Sequence, residues 1–426
     1  MRRKPLFPPP KSTTGVRARN KGRQLRSVLT ENGRVQFKRV RWAIEDQGCS
    51  VPIDALLDEA EKSFTRGVRE MLCRLNQSSS SFAKTAENMF RLASIDISGE
   101  SVRQIVEYEG RMITNQLTSG RIDPGWSSAD CVIDDKPLSD LAVDASERAE
   151  QSEAPGKPRK TRVYIGCDGV KVPVVTDAEK RKRRATIKFK RKRSGKKCRP
   201  LPKLRNGSDQ QYKEARIVVA YDEQQTHRLV ISTRGDCEVT GRLLQTLSTT
   251  IGLNQATESI ANIDGAPWIR NQLEFHHLVD EINLDYYHLK DNAQKARREM
   301  YGDDEAGAKW LDSLMDVLMN RGIDSLLSEL VAQKGDCRGR KLEALEHLIG
   351  YAAERRAIIR YREFRERGIQ IGSGPTEAQC KTTTQRIKGR GRRWDFANAE
   401  YLMNIAALDA SDLWEKYWEI PAKIAA

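Results

Sequence analysis

Only five histidines occur among 426 residues, and no two of the eight cysteines form a Cys-x2-Cys pair. A zinc finger therefore has no ligand set, and a disulfide framework would be sparse for this length. Reduced thiols in a cytoplasmic protein are expected. No apolar run approaches the ~20 residues that a membrane-spanning helix needs, which argues against a helical membrane protein and for no membrane partner. The opening Arg2, Arg3 and Lys4 run into Pro8, Pro9 and Pro10 with no apolar segment behind them, so a secretory signal is not expected. Acidic residues are also in deficit, with 59 Asp and Glu against 74 Lys and Arg, a net charge of +15. That balance points to a polyanionic partner, because counterion release favours nucleic acid on a Lys/Arg-rich surface. At 38 % hydrophobic and 31 % charged residues, the chain can bury a core in two or three domains beneath a highly charged surface.

Along the chain, residues 1–35 are basic and lack apolar periodicity, which predicts a flexible arm. Residues 36–125 read as a helical DNA-binding region. Val68, Met71, Leu72 and Leu75 continue one stripe, and Phe82, Ala86, Met89, Phe90 and Ala93 form another. A short connection with Ser98 as N-cap leads to Val102, Ile105, Val106 and Ile113. Two helices so joined predict a helix-turn-helix that turns Ser101, Arg103, Gln104 and Arg111 outward to DNA; an ordinary helical hairpin is the alternative. Residues 126–160 are acidic and read as a linker. Residues 161–290 predict the first part of an α/β core, with strands near 163–168, 216–221, 227–232, 260–264 and 281–285. A further strand at 171–176 would follow a tight turn. A basic insertion at 179–212 reads as a loop; thirteen of the twenty residues from Lys180 to Arg199 are Lys or Arg. Lys190, Arg191, Lys192 and Arg193 there are expected to touch phosphates without reading bases. Residues 291–370 predict a helical insertion, and 371–426 the C-terminal helices of the core.

Chemistry enters at the strand ends. Asp168 ends the first core strand and Asp264 the fourth, and parallel neighbours would bring both carboxylates to one edge of the sheet. Two carboxylates so close favour a shared proton or a divalent cation. A third carboxylate would complete a site for phosphoryl transfer. Glu377 is favoured, in the first turn of a helix introduced by Gly372-Ser373-Gly374-Pro375. Asp285, ending a neighbouring strand, is its main competitor. Glu258 should lie at the opposite end of the sheet, and Glu274 on a solvent-facing helix. Lys381, Arg386, Lys388, Arg392 and Arg393 are candidate phosphate clamps, and Trp394 either stacks on an unpaired base or packs in the core.

Four blocks carry a family resemblance: Val163-Tyr164-Ile165-Gly166-Cys167-Asp168-Gly169, Asn262-Ile263-Asp264-Gly265-Ala266-Pro267-Trp268-Ile269, Leu284-Asp285-Tyr286-Tyr287-His288, and Ile371-Gly372-Ser373-Gly374-Pro375-Thr376-Glu377-Ala378-Gln379-Cys380-Lys381. Together, over residues 161–408, they resemble bacterial insertion-sequence DDE transposases of the ISKra type, relatives of the mutator-like transposases. The resemblance implies a ribonuclease-H-like mixed five-stranded sheet with a large all-helical insertion, preceded by an all-helical N-terminal region. It implies Asp168, Asp264 and Glu377 as the metal-binding triad for Mg2+, with Mn2+ as a substitute. It further implies an accessory role near the DNA ends for Asp285 and His288. The expected partner is double-stranded DNA, both transposon ends and target, held by a homo-oligomer in the bacterial nucleoid. The expected reaction is metal-dependent cleavage at terminal inverted repeats, followed by strand transfer. The rival expectations are a catalytically inactive helix-turn-helix DNA-binding protein and a structure-selective nuclease of the same fold.

Overall fold

The computed structural model describes residues 10, 18–44, 48–55, 63–133, 159–198, 200 and 209–419. Most of the acidic linker and of the first eighteen residues lie outside the described residues. The chain divides into two compact units, one of residues 1–112 with 414–426 and the other of 113–413.

In the first unit, β1 (Arg19–Thr30), β2 (Gly33–Ile44) and β3 (Gly48–Ser50) form an antiparallel sheet in that order. This corrects the flexible arm over its described residues from Arg19 on, and the all-helical character expected of the N-terminal region; the rest of the expected arm lies outside the described residues except 10 and 18. The turn is built at Glu31-Asn32-Gly33: Thr30 pairs with Gly33, which takes a φ of 101°. Asn-Gly between alternating residues is a strong hairpin signal. Val40, Trp42 and Ile44 do alternate, but Lys38 in their own phase and Arg39 and Arg41 in the other hide the period of two behind charge. Then follow α1 (Arg66–Ser78), α2 (Phe82–Ala93) and α3 (Gly99–Thr118). Ser94 bends the chain with a φ of 55°, and the Ser98 hydroxyl accepts from the Ser101 N–H at 3.1 Å, the expected cap.

The second unit is built on β4 (Arg162–Pro173), α4 (Asp177–Arg193), β5 (Tyr212–Asp222), β6 (Arg228–Thr233), α5 (Cys237–Thr250), β7 (Glu258–Ile263), α6 (Pro267–Phe275) and β8 (Glu281–Leu284). Five further helices follow: α7 (Tyr286–Tyr301), α8 (Glu305–Arg321), α9 (Ile323–Ala332), α10 (Arg340–Glu354) and α11 (Tyr361–Glu366). The core then closes with α12 (Gly374–Thr384) and α13 (Phe396–Ala410); α14 (Trp414–Trp418) belongs to the first unit. The sheet order is β6-β5-β4-β7-β8, with β4, β5 and β6 antiparallel in sequence and β7 and β8 parallel to β4. Val163, Ile165, Val218, Val219, Ile260 and Ala261 are all buried, because helices cover both faces of the central strands.

Two expectations change here. β4 runs unbroken through Gly169, so no turn separates 163–168 from 171–176, and Asp168 lies mid-strand opposite Ile217. The basic insertion is also a helix where a loop was expected. Thr176 and Glu179 form a reciprocal capping box, Asp177 and Glu179 occupy the first turn, and four cations occupy the last. Lys and Arg are good helix formers, and this charge order suits the helix dipole.

The outer edge of β6 is closed by side chains. The N–H groups of Val230, Ser232 and Arg234 donate to Ser411 Oγ, Asn404 Oδ1 and Glu400 Oε1, at 2.9, 2.8 and 2.9 Å. Asn404 Nδ2 returns a bond to the Ser232 carbonyl at 2.9 Å.

Candidate active site

β4 and β7 pair in parallel, with Ile165 opposite Ala261. Asp168 and Asp264 each stand three residues beyond that last pair, near enough for the Asp264 charge to reach Asp168. Both are half-buried. Burial pushes the Asp168 carboxyl above its usual range, and the Asp264 charge adds to the rise; the Gly169 N–H, the Cys380 thiol and His288 act against it. Asp168 Oδ1 accepts its Gly169 N–H at 2.6 Å, and Asp264 Oδ1 accepts from the Ala266 N–H at 2.8 Å. Among the described residues no ion pair reaches either carboxylate.

Helix α12 brings Glu377 to this edge by close packing. A methyl group at position 166 would fall 1.8 Å from Thr376 Oγ1, so glycine there lets the first turn of α12 sit on β4. Cys380, one turn on, bonds Asp168 through its thiol, whose pKa burial pushes up. Glu377 lies between these two contacts, exposed, with Oε1 3.9 Å from His288 Nε2.

Asp285 is fully buried. Its Oδ1 accepts the His288 N–H at 2.9 Å as the N-cap of α7, and Oδ2 accepts the Ser373 N–H. Both oxygens therefore hold backbone, tying the helix of His288 to the loop before Glu377. The paired Asn262 and Asn283 side chains, 2.9 Å apart, donate to the carbonyls of Gln370 and Ile371 and seat the same return segment. The other competitors fall as expected. Glu258 lies at the far end with Arg162, and Glu274 pairs with Arg270 at 2.7 Å on α6.

Sequence reasoning missed Tyr351 on α10 and Arg355, the C-cap of that helix. Arg355 Nε donates to the Gly265 carbonyl at 3.2 Å and the guanidinium stacks 4.1 Å from the Tyr351 ring. Burial raises the Tyr351 pKa, and Asp264 and Asp285 lie near enough to raise it further. Nothing local to residues 340–354 signals this approach, which depends on how the insertion folds back.

The candidate DNA contacts separate into two groups. Lys190, Arg191, Lys192 and Arg193 are exposed in the last turn of α4, and Lys381 and Lys388 are exposed after Glu377. Arg393 pairs with Glu179 at 2.6 Å, and Arg392 bonds the Arg386 carbonyl. Arg386 itself is 3 % exposed, with its guanidinium 5.1 Å from the Trp394 ring. Trp394 is buried, its indole N–H donating to the Ile387 carbonyl at 3.0 Å. The packing alternative for Trp394 is the one seen, and Arg386 is no surface clamp. On α3, Arg103 bonds Glu100 and Glu107, and Gln104 Nε2 bonds Glu100 at 2.9 Å.

Asp168, Asp264 and Glu377 offer the hard oxygen donors that suit Mg2+, which is commonly held by one or two carboxylates. Yet among the described residues no three His, Cys, Asp or Glu side chains are gathered closely enough to hold a metal ion. The first two carboxylates adjoin, and Glu377 stands off beside His288.

No family model and no curated protein matches this chain. Among solved structures it is similar to the Drosophila P element transposase strand transfer complex, with 9 % identity over 86 % of this chain and 84 % of that one. The TM-score is 0.28, an overlap too low to carry an inference about fold or activity.

Proposed function

We propose that this chain is a DNA transposase that binds the ends of its own element, cleaves phosphodiester bonds there and joins the freed 3′ ends to target DNA. The observation that carries this reading is the Asp168–Asp264 pair on adjoining parallel strands, with Glu377 delivered by a helix seated on Gly166. A sheet ordered β6-β5-β4-β7-β8, with a carboxylate on its central strand and another just past the parallel neighbour, is what a ribonuclease-H-like core requires. The sequence blocks quoted above favour the ISKra type within that class.

In this reading Asp168, Asp264 and Glu377 hold Mg2+ or Mn2+, which when bound supplies Lewis acidity toward a phosphodiester. The protein's own groups do the positioning. Gly169, Cys380 and Ala266 aim the two aspartates, and Asp285 fixes the loop that aims Glu377. His288 stands beside Glu377, placed to hold or pass a proton at that carboxylate. Lys381, Lys388 and the α4 cations draw the DNA backbone toward the edge.

The test is a duplex carrying the inverted repeats that flank the gene, incubated with protein and Mg2+. Cleavage followed by joining to a second duplex supports the proposal. Cutting without joining identifies a nuclease, and binding without cutting an inactive DNA-binding protein; either overturns it.

A further inference from the structure

Helix α4 extends about 25 Å at 1.5 Å per residue, and none of its seventeen residues is buried. Among the described residues its ties to the sheet lie at its base. Glu179 pairs with Arg393 at 2.6 Å, Lys180 with Asp395 at 2.7 Å, and the Val175 and Trp394 backbones bond at 2.9 Å. Five residues of β4 separate Pro173 from Asp168, about 17 Å of strand. The helix begins four residues beyond the end of the strand that carries Asp168.

The arrangement of its side chains identifies what it fits. A helix lying along a phosphate backbone needs cations on one side only. Turning at about 100° per residue, Ala185 and Phe189 fall on one narrow stripe. Arg181, Lys188 and Lys192 flank that stripe on one side, and Lys182 and Arg193 on the other; Arg183, Arg184, Lys190 and Arg191 surround Ile187, 55 % exposed, on the opposite face. Phe189 is 64 % exposed. Two cationic flanks around an apolar stripe match a channel with negative walls and an apolar floor. The major groove of B-DNA, about 12 Å wide, is such a channel, walled by phosphates and floored partly by thymine methyl groups. An α-helix of about 10–12 Å diameter fills it.

We propose that α4 enters the major groove of the duplex being cut, with Ala185 and Phe189 on the groove floor and the flanking cations on the two phosphate walls. This rests on the transposase reading for which duplex is bound, and it goes beyond backbone contact to groove recognition.

The test uses the full chain and three probes of about forty base pairs, roughly four turns. They are a mixed-sequence DNA duplex, the same duplex with glucosylated 5-hydroxymethylcytosine filling its major groove, and an RNA duplex. The RNA has a deep, narrow major groove that a helix cannot read. Binding is followed by fluorescence anisotropy across salt concentration. Plain DNA is expected to bind about tenfold or more tightly than either other probe. Phe189→Asp should collapse that preference without altering circular dichroism, since the ring is exposed. Gln at 181, 182, 188 and 192 should lower the salt slope by about 0.9 per lost phosphate contact. If the three probes bind equally, or if Phe189→Asp keeps the preference, the proposal is overturned. Cleavage of plain DNA, measured in parallel, reports on the transposase reading separately. A lost preference with no cleavage in the wild-type chain would sink that reading and leave the groove assignment standing.

Discussion

The two ends of the five-stranded sheet treat acidic residues in opposite ways. At the end where β4 begins, Arg162 is 2 % exposed and bonds Glu258 at 2.7 Å and Glu223 at 3.0 Å, while also donating to the Gly368 and Arg367 carbonyls. Lys160 and Arg367 add to Glu258, and Arg360 and Arg367 pair with Glu281. Glu223, Glu258 and Glu281 there each have a cation. At the other end Asp168 and Asp264 face each other, held by N–H groups and a thiol. Burial works against the charge of Glu258, yet its cations hold the pKa at about 2. Burial also works against Asp168, no ion pair among the described residues offsets it, and its pKa rises. The same residue type serves structure where cations neutralise it and remains free for an added cation where they do not.

The largest break in this contrast should come from the unpaired end. Asp168→Asn, Asp264→Asn or Glu377→Gln should each lower DNA cleavage at least about a hundredfold while leaving end binding intact. Asp285→Asn should leave measurable cleavage, since that carboxylate positions backbone. Cleavage that survives Glu377→Gln but not Asp285→Asn would reassign the third carboxylate.

At the paired end, Arg162→Met strands Glu258 and Glu223 without their buried cation. A loss of about 3–5 kcal/mol in chemical denaturation is expected. A loss near zero would show that Lys160 and Arg367 suffice.

The two ends should also titrate with opposite sign. Glu258 has a depressed folded pKa, so its contribution is present above its ordinary value of 4.5 and is lost as pH falls toward about 2. Glu258→Gln should therefore destabilise the protein at neutral pH and converge with wild type in acid. Asp168 has a raised folded pKa, so its contribution is present below its ordinary value of 3.8 and is lost as pH rises through the folded value. In chelator, Asp168→Asn should raise Tm at neutral pH, the gain vanishing in acid. Parallel shifts for the two variants would refute the contrast.

The smallest effect is expected at Arg103, which is paired as Arg162 is but with a 39 % exposed side chain. Arg103→Ala should leave the unfolding midpoint nearly unchanged. With Gln104→Ala it should weaken binding to the element's ends more than to random DNA; equal loss on both would make α3 a scaffold.

Much of the core was legible because its signals are local. The end of β7 announced itself by an apolar run stopped by Asp264-Gly265, though Asp168-Gly169 gave a false stop, and Pro267 and Gly374-Pro375 marked helix starts where they occur. Glu377 was found through its turn. What escaped were features set by charge or by distance. Arg and Lys concealed the β1–β2 alternation, and the same residues made α4 read as a loop despite the Thr176–Glu179 capping pair. Burial of Arg386 and Trp394 depends on the chain passing Pro173, more than two hundred residues earlier. The Asn262–Asn283 clamp and the approach of Arg355 to Gly265 likewise join segments that no periodicity connects.

The side chains along the outer edge of β6 bear on how the protein is made. Glu400, Asn404 and Ser411 meet three alternate N–H groups of the strand. Glu400 and Asn404, four residues or about 6 Å apart on α13, match two residues of strand at about 6.7 Å, while Ser411 bonds from just past the helix end. Adding or deleting one residue between Glu400 and Asn404 would put those two bonds out of step. During translation β6 emerges roughly 170 residues before its partners. Until then the nascent sheet offers an open row of donors to any neighbouring strand. Shielding on the ribosome, rather than strength of the finished core, is the step on which its yield should depend.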